Sequence, residues 1–441
     1  MPGAISQKLA ATLEQCEAEN DDLFAFSAFP KETAKATATY LETLSDNGVT
    51  LGPLHGLPIC VKDIIDVAGL PTHAGSATRP APAPAPEDAF VVAKLRAAGA
   101  IIAAKTNTVE FAFGGWGTNK NIGTPRNPWN RDVHHTPGGS SNGTGVAVGA
   151  GLLPAGLGTD TGGSVRIPAA FCGCVGLKTS IGLVSRTGVV PLSDTFDTVG
   201  PLTDTVRRAA EMLDVMQGED RRDPTTVDIS RKDPMRDLDR GIETLKIAVL
   251  SPEDLPRITR PISDAYARAQ GLLGQLGASL TPMKLPLDFL AYQTRATQIV
   301  SSDAYAFHSE MADNPDSPMN ETTRMRMHVG KGLTGRERVL AQRARQQAIA
   351  DFLDRLDRFD ALVIPSAPIT AIPVSEADEN NYEMSLYTRP ANYLELCGLS
   401  LPISIAPNGM PTSLQIVTRR FDDPLALRIG QAFEQARGTL V

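Results

Sequence analysis

Residues 138–168 read GGSSNGTGVAVGAGLLPAGLGTDTGGSVRIP, and this stretch restricts the fold more than any other in the chain. Two glycine–serine knots, Gly138-Gly139-Ser140-Ser141 and Thr161-Gly162-Gly163-Ser164, flank a run of small apolar residues. Small side chains let backbones approach closely, so the run predicts a tightly packed helix over 145–153, central rather than peripheral. One helix and one return segment between the knots suffice to bring both serines to the same end of the core. Upstream, the apolar residues Ile59 to Val61 predict a strand that ends on Lys62-Asp63.

Strand and helix signals alternate around this stretch, which points to a layered α/β sheet. Residues 5–45 carry helical spacing in two pieces joined at 21–30. The Pro–Ala alternation over 80–86 predicts a stiff extended connection. Asp88 is placed to cap a helix over 89–98 that stops at Gly99, and 100–104 is a buried strand. The charged, proline-punctuated segment 218–239 predicts a surface crossover between two halves of one sheet. Beyond it come a strand at 245–250, a helix at 262–276 and a strand at 361–364. Asn408-Gly409 marks a hairpin between 403–406 and 413–418, and 424–436 is a final amphipathic helix. No internal repeat is visible.

Serines in glycine-rich turns plus a lysine at a strand end form a nucleophile, a relay and a base without histidine. Ser164 is the candidate nucleophile. It ends a Thr-Gly-Gly-Ser run in which successive N–H groups can converge on one point, so Thr161, Gly162, Gly163 and Ser164 are the oxyanion-hole candidates. The plain alternative is a tight turn holding an ordinary buried serine. Lys62, poorly solvated at a strand end, can lose its charge and act as a base. Its plain alternative is a charged strand end paired with Asp63 or Asp66.

The string GGSS…GTDTGGSVRIPAAFCG…GLK resembles the signature of the amidase signature family. So do residues 55–72 (HGLPICVKDIIDVAGLPT), 98–114 (AGAIIAAKTNTVEFAFG), 182–202 (GLVSRTGVVPLSDTFDTVGPL) and 399–417 (LSLPISIAPNGMPTSLQIV). The resemblance implies an α/β fold: one large α/β/α domain, 1–441, around a central mixed β-sheet. Within it, 1–45 gives outer helices, 53–205 the catalytic core, 218–243 the crossover, and 244–441 the rest of the sheet and the pocket. It implies that Ser140 follows a cis peptide and relays protons between Lys62 and Ser164. Gly139, Ser141, Asp160 and Arg166 are then supporting residues. Arg166 has two readings, a brace for the nucleophile turn or a partner for a substrate carboxylate, and the brace is preferred. Malonamidase-like members carry their arginine one place further on, where this chain has Ile167. Phe113, Trp116 and Phe196 are candidates for the substrate-pocket wall. The sequence departs from the pattern at Asn142, at Thr144 and at Thr195-Phe196-Asp197, which touches substrate choice more than the relay.

The implied reaction is hydrolysis of the C–N bond in a small carboxamide, or in a related carbamate or urea-like compound. The alternative within the family is the glutaminase subunit of a tRNA-dependent amidotransferase. Against glutamine stands Ser385, at the position where glutaminase members carry an acidic residue for the substrate amine. Gly139-Ser140-Ser141-Asn142-Gly143 also fits the G-x-S-x-G of a Ser-His-Asp hydrolase, but His134-His135-Thr136-Pro137 is not the apolar strand that motif requires. His308 and His328 are too loosely placed to nominate as the histidine of such a triad. No P-loop pattern occurs.

The net charge of −8 over 441 residues argues against a basic nucleic-acid-binding surface. The expected partners are a small-molecule amide and a second copy of the chain, with no nucleic acid and no membrane. No metal or organic cofactor is expected, and Cys172-Gly173-Cys174 is too tight for zinc. Five cysteines, an odd number, read as free structural thiols in a reducing compartment. The N-terminus lacks the pattern of a secretory signal, so a cytoplasmic location is expected.

Overall fold

Runs buried on both faces make most of the inner strands of this chain, which a computed structural model describes over residues 3–79, 81–381 and 383–440, while the two edge strands are partly exposed. In chain order they are β1 (Phe26–Ala28), β2 (Pro58–Lys62), β3 (Ile101–Thr106), β4 (Ala155–Asp160), β5 (Val175–Lys178) and β6 (Thr198–Thr203). The later strands are β7 (Lys246–Val249), β8 (Ser279–Pro282), β9 (Ala361–Pro365), β10 (Cys397–Ile405) and β11 (Pro411–Thr418). They form one 11-stranded sheet in the order β1-β3-β2-β4-β6-β5-β10-β11-β9-β7-β8. Successive side chains point to opposite faces. Accordingly Ile59, Val61 and Ile102 join one apolar cluster, while Cys60, Ile101 and Ala103 join another with the N-terminal helices. A strand covered on both sides reads as a continuous apolar run rather than as an alternation.

The sheet is mixed. β3, β2 and β4 run parallel, as do β9, β7 and β8, and the centre is antiparallel. The two halves of the chain meet where β10 pairs with β5, Leu399 opposite Leu177. Beside this seam lies the helix Arg166–Cys172, and the helix Asn142–Gly149 packs against it and over β2, β3, β4 and β6; the two serine knots immediately precede these helices. At Gly143 a β-carbon would stand 2.3 Å from the Ala25 carbonyl oxygen, so only glycine permits that approach.

Several expectations shift. The first helix of this core starts at Asn142 rather than 145, because Asn142 accepts from its neighbour Gly143 N–H and donates to the Gly117 carbonyl. Asp88 does not cap Phe90–Ala97; it accepts from Ala68 N–H and pairs with Arg96. The crossover at 218–243 is not wholly a surface strap. Asp220 and Asp223 are buried, accepting from Ser185 Oγ and Arg186 N–H. Pro80 of the expected extended connection lies outside the described residues, as do Met1 and Pro2 of the expected N-terminal region. The three helices Phe289–Asp313, Glu321–Lys331 and Gly335–Leu356 have no counterpart in the sequence reading. Among the described residues no helix is long and apolar enough to cross a membrane. The five cysteines are free and buried.

Asp160, the last residue of β4, and Arg166, the first of the next helix, form a fully buried ion pair. Arg166 Nε and Nη2 donate to the two carboxylate oxygens at 3.0 and 2.8 Å. Its other contacts reach the C-terminal half: the Thr388 carbonyl, Asn392 Oδ1 and Gln415 Oε1. Burial alone raises the Asp160 pKa, but Arg166 and Lys178 more than offset this and hold the carboxyl well below the usual range. Removing one member of such a pair strands the other charge in the interior. Arg166→Met is therefore expected to cost about 3–5 kcal/mol of stability, read as a lower midpoint in urea unfolding. Adding Asp160→Asn to it should recover part of that loss. A single variant as stable as the parent would show that the pair does not hold the two halves together.

Candidate active site

Lys62 ends β2 with its side chain wholly buried. Its Nζ donates to Ser140 Oγ at 2.7 Å and to Thr159 Oγ1 at 2.8 Å. Both partners are hydroxyls, and no salt bridge joins Lys62 to a carboxylate among the described residues. Burial therefore pushes its pKa down to about 7, against the opposing pull of Asp197 and Asp160. A lysine in this state is neutral in a large fraction of molecules near neutral pH and can accept a proton from Ser140. The alternative partners do not engage it: Asp63 pairs with Lys105 at 2.6 Å, and Asp66 accepts from Thr72.

Ser140 follows a cis peptide from Gly139. Its carbonyl accepts from Thr108 Oγ1 and Val109 N–H, and Gly139 N–H donates to the Gly115 carbonyl, so the knot is fixed on both sides. Ser141 faces β4 instead, where its Oγ donates to the Thr159 carbonyl and accepts from Thr159 N–H. Its own N–H donates to the Ser164 carbonyl at 3.2 Å, which ties the two knots together. The two histidines weighed for a triad bond elsewhere: His308 Nε2 with the Pro191 carbonyl and His328 Nε2 with Asp313.

The second knot turns sharply out of β4. Gly163 has φ +130°, and a β-carbon there would stand 2.2 Å from Thr388 Oγ1. Its N–H donates to Asp160 Oδ1 at 2.8 Å. That bond takes Gly163 away from the expected oxyanion donors and leaves Thr161, Gly162 and Ser164. Thr161 is held through its hydroxyl, which donates to Asp197 Oδ1 at 2.5 Å, and Asp197 also accepts from Leu192 and Ser193 N–H. Arg166, whose two readings were a brace or a carboxylate partner, is the brace, since its side chain is buried and engaged on every side.

A small cavity of about 30 Å³ opens over this turn, with Thr161, Gly162 and Ser164 in its lining. Phe113, Ile167, Leu192 and Val300 supply apolar wall, and Ser385 and Arg389 supply polar wall. Phe113 is thus among the lining residues. Trp116 and Phe196 do not line this cavity. The Trp116 indole N–H turns to the Asp378 and Asn381 carbonyls, and the Phe196 ring packs against Tyr393 and the Arg345 guanidinium. Sequence reasoning missed Thr159, because its contact with Lys62 spans two strands distant in sequence. It missed Arg389 as well, whose only signal was a cation next to the nominated Ser385. Among the described residues no group of three His, Cys, Asp or Glu side chains is arranged to hold a metal ion.

The sequence model of the Amidase family matches residues 7–427. The chain is 33% identical to a Glutamyl-tRNA(Gln) amidotransferase subunit from Acidobacterium capsulatum, covering 96% of this chain and 95% of that one. A solved s-triazine catabolic enzyme, described with a vestigial protein complex, superposes with a TM-score of 0.91 at 29% identity, covering 98% of this chain and 95% of the other. The native peptide amidase of Stenotrophomonas maltophilia superposes at 0.85 with 27% identity, covering 98% and 93%. These findings correct the expected partners. A relative named as one subunit of an enzyme for glutamyl-tRNA overturns the expectation that excluded nucleic acid. The net charge of −8 describes this chain's own surface and says nothing about what an assembly would bring to it. With Lys62 and Ser164 at the carboxyl ends of the inner strands β2 and β4, Ser140 hydrogen-bonded to Lys62, and the family's pattern running through nearly all of its length, the chain belongs to the amidase signature family of enzymes, which act on C–N bonds.

Proposed function

We propose that the protein hydrolyses the C–N bond of a small carboxamide, or a related carbamate or urea-like carbonyl, through a Ser164 acyl-enzyme. The observation that carries this reading is the Lys62–Ser140 hydrogen bond of 2.7 Å at a lysine whose burial brings it to about 7. Neutral Lys62 takes the Ser140 proton as Ser140 takes that of Ser164, whose Oγ attacks the carbonyl carbon. The oxyanion develops toward the N–H groups of Thr161, Gly162 and Ser164. The C–N bond then breaks, the proton returns through Ser140 to the leaving nitrogen, and water repeats the sequence on the ester. Thr159 holds Lys62 by its second hydrogen bond and so aims the amine at Ser140.

A second reading is favoured by the relatives. As the glutaminase component of an amidotransferase, the protein would use the same chemistry to release ammonia from glutamine for a glutamyl-tRNA. The names of the relatives weigh toward it. Ser385, which lines the cavity where an acidic residue is expected for glutamine's amine, weighs against that substrate.

Because the lysine must be neutral, kcat/KM should fall about tenfold per pH unit below pH 7 and level off above it. Lys62→Ala should lower kcat by about 10²–10⁴-fold and abolish that limb. A variant with unchanged kcat at every pH would remove Lys62 from the relay. A fluorophosphonate probe should label Ser164, and labelling should drop in Lys62→Ala and Ser140→Ala; modification of Ser141 instead would overturn the assignment. To separate the two readings, ammonia release from glutamine is measured with the chain alone and mixed with the other components of a Glutamyl-tRNA(Gln) amidotransferase. Stimulation of about tenfold or more favours the amidotransferase reading, and turnover of other amides with none of glutamine favours the free-standing amidase.

A further inference from the structure

We propose that Asp303 is a positioning residue for the oxyanion hole, acting through the loop 192–197 and its Asp197. This rests on the acyl-enzyme reading and adds to it a residue that belongs neither to the cavity wall nor to the relay. Two carboxylates pin the nucleophile turn. Asp160 accepts from the N–H groups of Gly163 and Val165 at 2.8 and 3.1 Å. Those bonds leave Thr161, the first residue past β4, to a different anchor. Its hydroxyl donates to Asp197 Oδ1 at 2.5 Å, and its N–H is one of the proposed oxyanion donors. Asp197 in turn is held by its own loop, its Oδ2 accepting from Leu192 and Ser193 N–H at 2.8 and 2.9 Å. No salt bridge joins Asp197 to a cation among the described residues. The aim of this buried carboxylate therefore follows the shape of the loop.

That loop is gripped from outside by the second half of the chain. Asp303 lies on the helix Phe289–Asp313, 110 residues beyond Ser193. Its Oδ2 accepts from Ser193 Oγ at 2.6 Å and from Thr195 N–H at 3.3 Å. Its Oδ1 accepts from Arg338 Nη2 at 2.7 Å, and the same nitrogen donates to Thr195 Oγ1 at 3.0 Å. Ser193 thus gives its N–H to Asp197 and its hydroxyl to Asp303. Hydrogen bonds to an ionised acceptor are the strong ones, and this acceptor is only 12% exposed. One turn earlier on the same helix, Val300 faces the cavity that Leu192 of the loop also lines. Helix, loop and turn form one chain of contacts from Arg338 to Thr161. Without Asp303 the buried Ser193 hydroxyl loses its acceptor. The loop then relaxes, the Asp197 carboxylate moves with it, and Thr161 loses the anchor that aims its N–H.

The test measures how fast a fluorophosphonate modifies Ser164 in the full chain. Ser164 Oγ attacks phosphorus and fluoride leaves. Negative charge grows on the phosphoryl oxygen as it does on a carbonyl oxygen, so the rate reports on the oxyanion donors without a known substrate. Asp303→Ala should slow labelling about tenfold. Ser193→Ala, which cuts the same hold from the loop's side, should slow it to a similar extent. Asp303→Asn, which keeps an acceptor for Ser193, should recover most of the loss. In a Thr161→Val background, itself slow because the bond to Asp197 is gone, Asp303→Ala should change the rate less than about twofold. Parent-like rates in Asp303→Ala and Ser193→Ala overturn the proposal. So do losses that multiply in the double variant, because a general loosening of the fold would not run through Thr161. If Asp303→Ala fails to fold, Ser193→Ala alone and combined with Thr161→Val makes the same decision. Failure of the acyl-enzyme reading registers separately, as parent protein whose Ser164 resists the probe. That result removes both, whereas variants that match a labelled parent remove only the role of Asp303.

Discussion

The buried pair of Asp160 and Arg166 is the constraint on which the arrangement of the site depends. One carboxylate accepts from Gly163 and Val165 N–H as well as from Arg166, and so dictates the shape of the turn that presents Ser164. The guanidinium extends that control to the C-terminal half through Thr388, Asn392 and Gln415. Thr388 also donates from its hydroxyl to the Gly162 carbonyl. Nucleophile turn and pocket wall are thereby set by one electrostatic unit, and neither charge can leave the interior without unbalancing the other.

Three buried lysines show how local partners decide protonation. Lys105 meets Asp63 at 2.6 Å, which opposes the downward push of burial. Lys178 donates to the Thr179 and Leu396 carbonyls and is pushed down to about 8, with nearby Arg166 adding to the effect of burial and Asp160 opposing both. Lys62 is pushed to about 7 with two hydroxyl partners, one of which is the proposed relay. Burial is common to all three, and only Lys62 has a proton-bearing serine as its neighbour. What a lysine touches, rather than burial, is therefore what singles out Lys62 as the proposed base, since burial alone would nominate Lys178 as readily.

What was legible in the sequence follows from how local each signal is. The serine knots and the strand-end lysine stood out because glycine and small residues are required by backbone geometry within a few positions, as at Gly163. The hairpin at Asn408-Gly409 was legible for the same reason, and β10 and β11 pair around it. β4 was not, although it carries the nucleophile turn, because its glycine-rich residues carry no β-propensity and owe their conformation to neighbours β2 and β6. Trp116 and Phe196 misled because aromatic side chains near a site are as easily held by carbonyls or by other rings as by a ligand. The 289–356 helices escaped notice because their role is packing, and Val300 reaches the cavity only through that packing.

The division of labour between the halves has a consequence for substrate choice. Lys62, Ser140, Thr159 and Ser164 all come from the first half, within the core that the two knots define. Val300, Ser385 and Arg389 come from the second half and line the cavity without belonging to the proposed proton relay. Among the described residues Thr388, Asn392 and Gln415 tie the second half to the turn through Arg166, from beneath the turn rather than from the cavity. Side chains at 385 and 389 can therefore change what is bound without altering the distances along the relay, provided Arg166 keeps its partners. That separation accounts for how one family can include relatives named for a tRNA-linked amidotransferase and for a peptide amidase while the chain retains one sheet and one pair of serine knots.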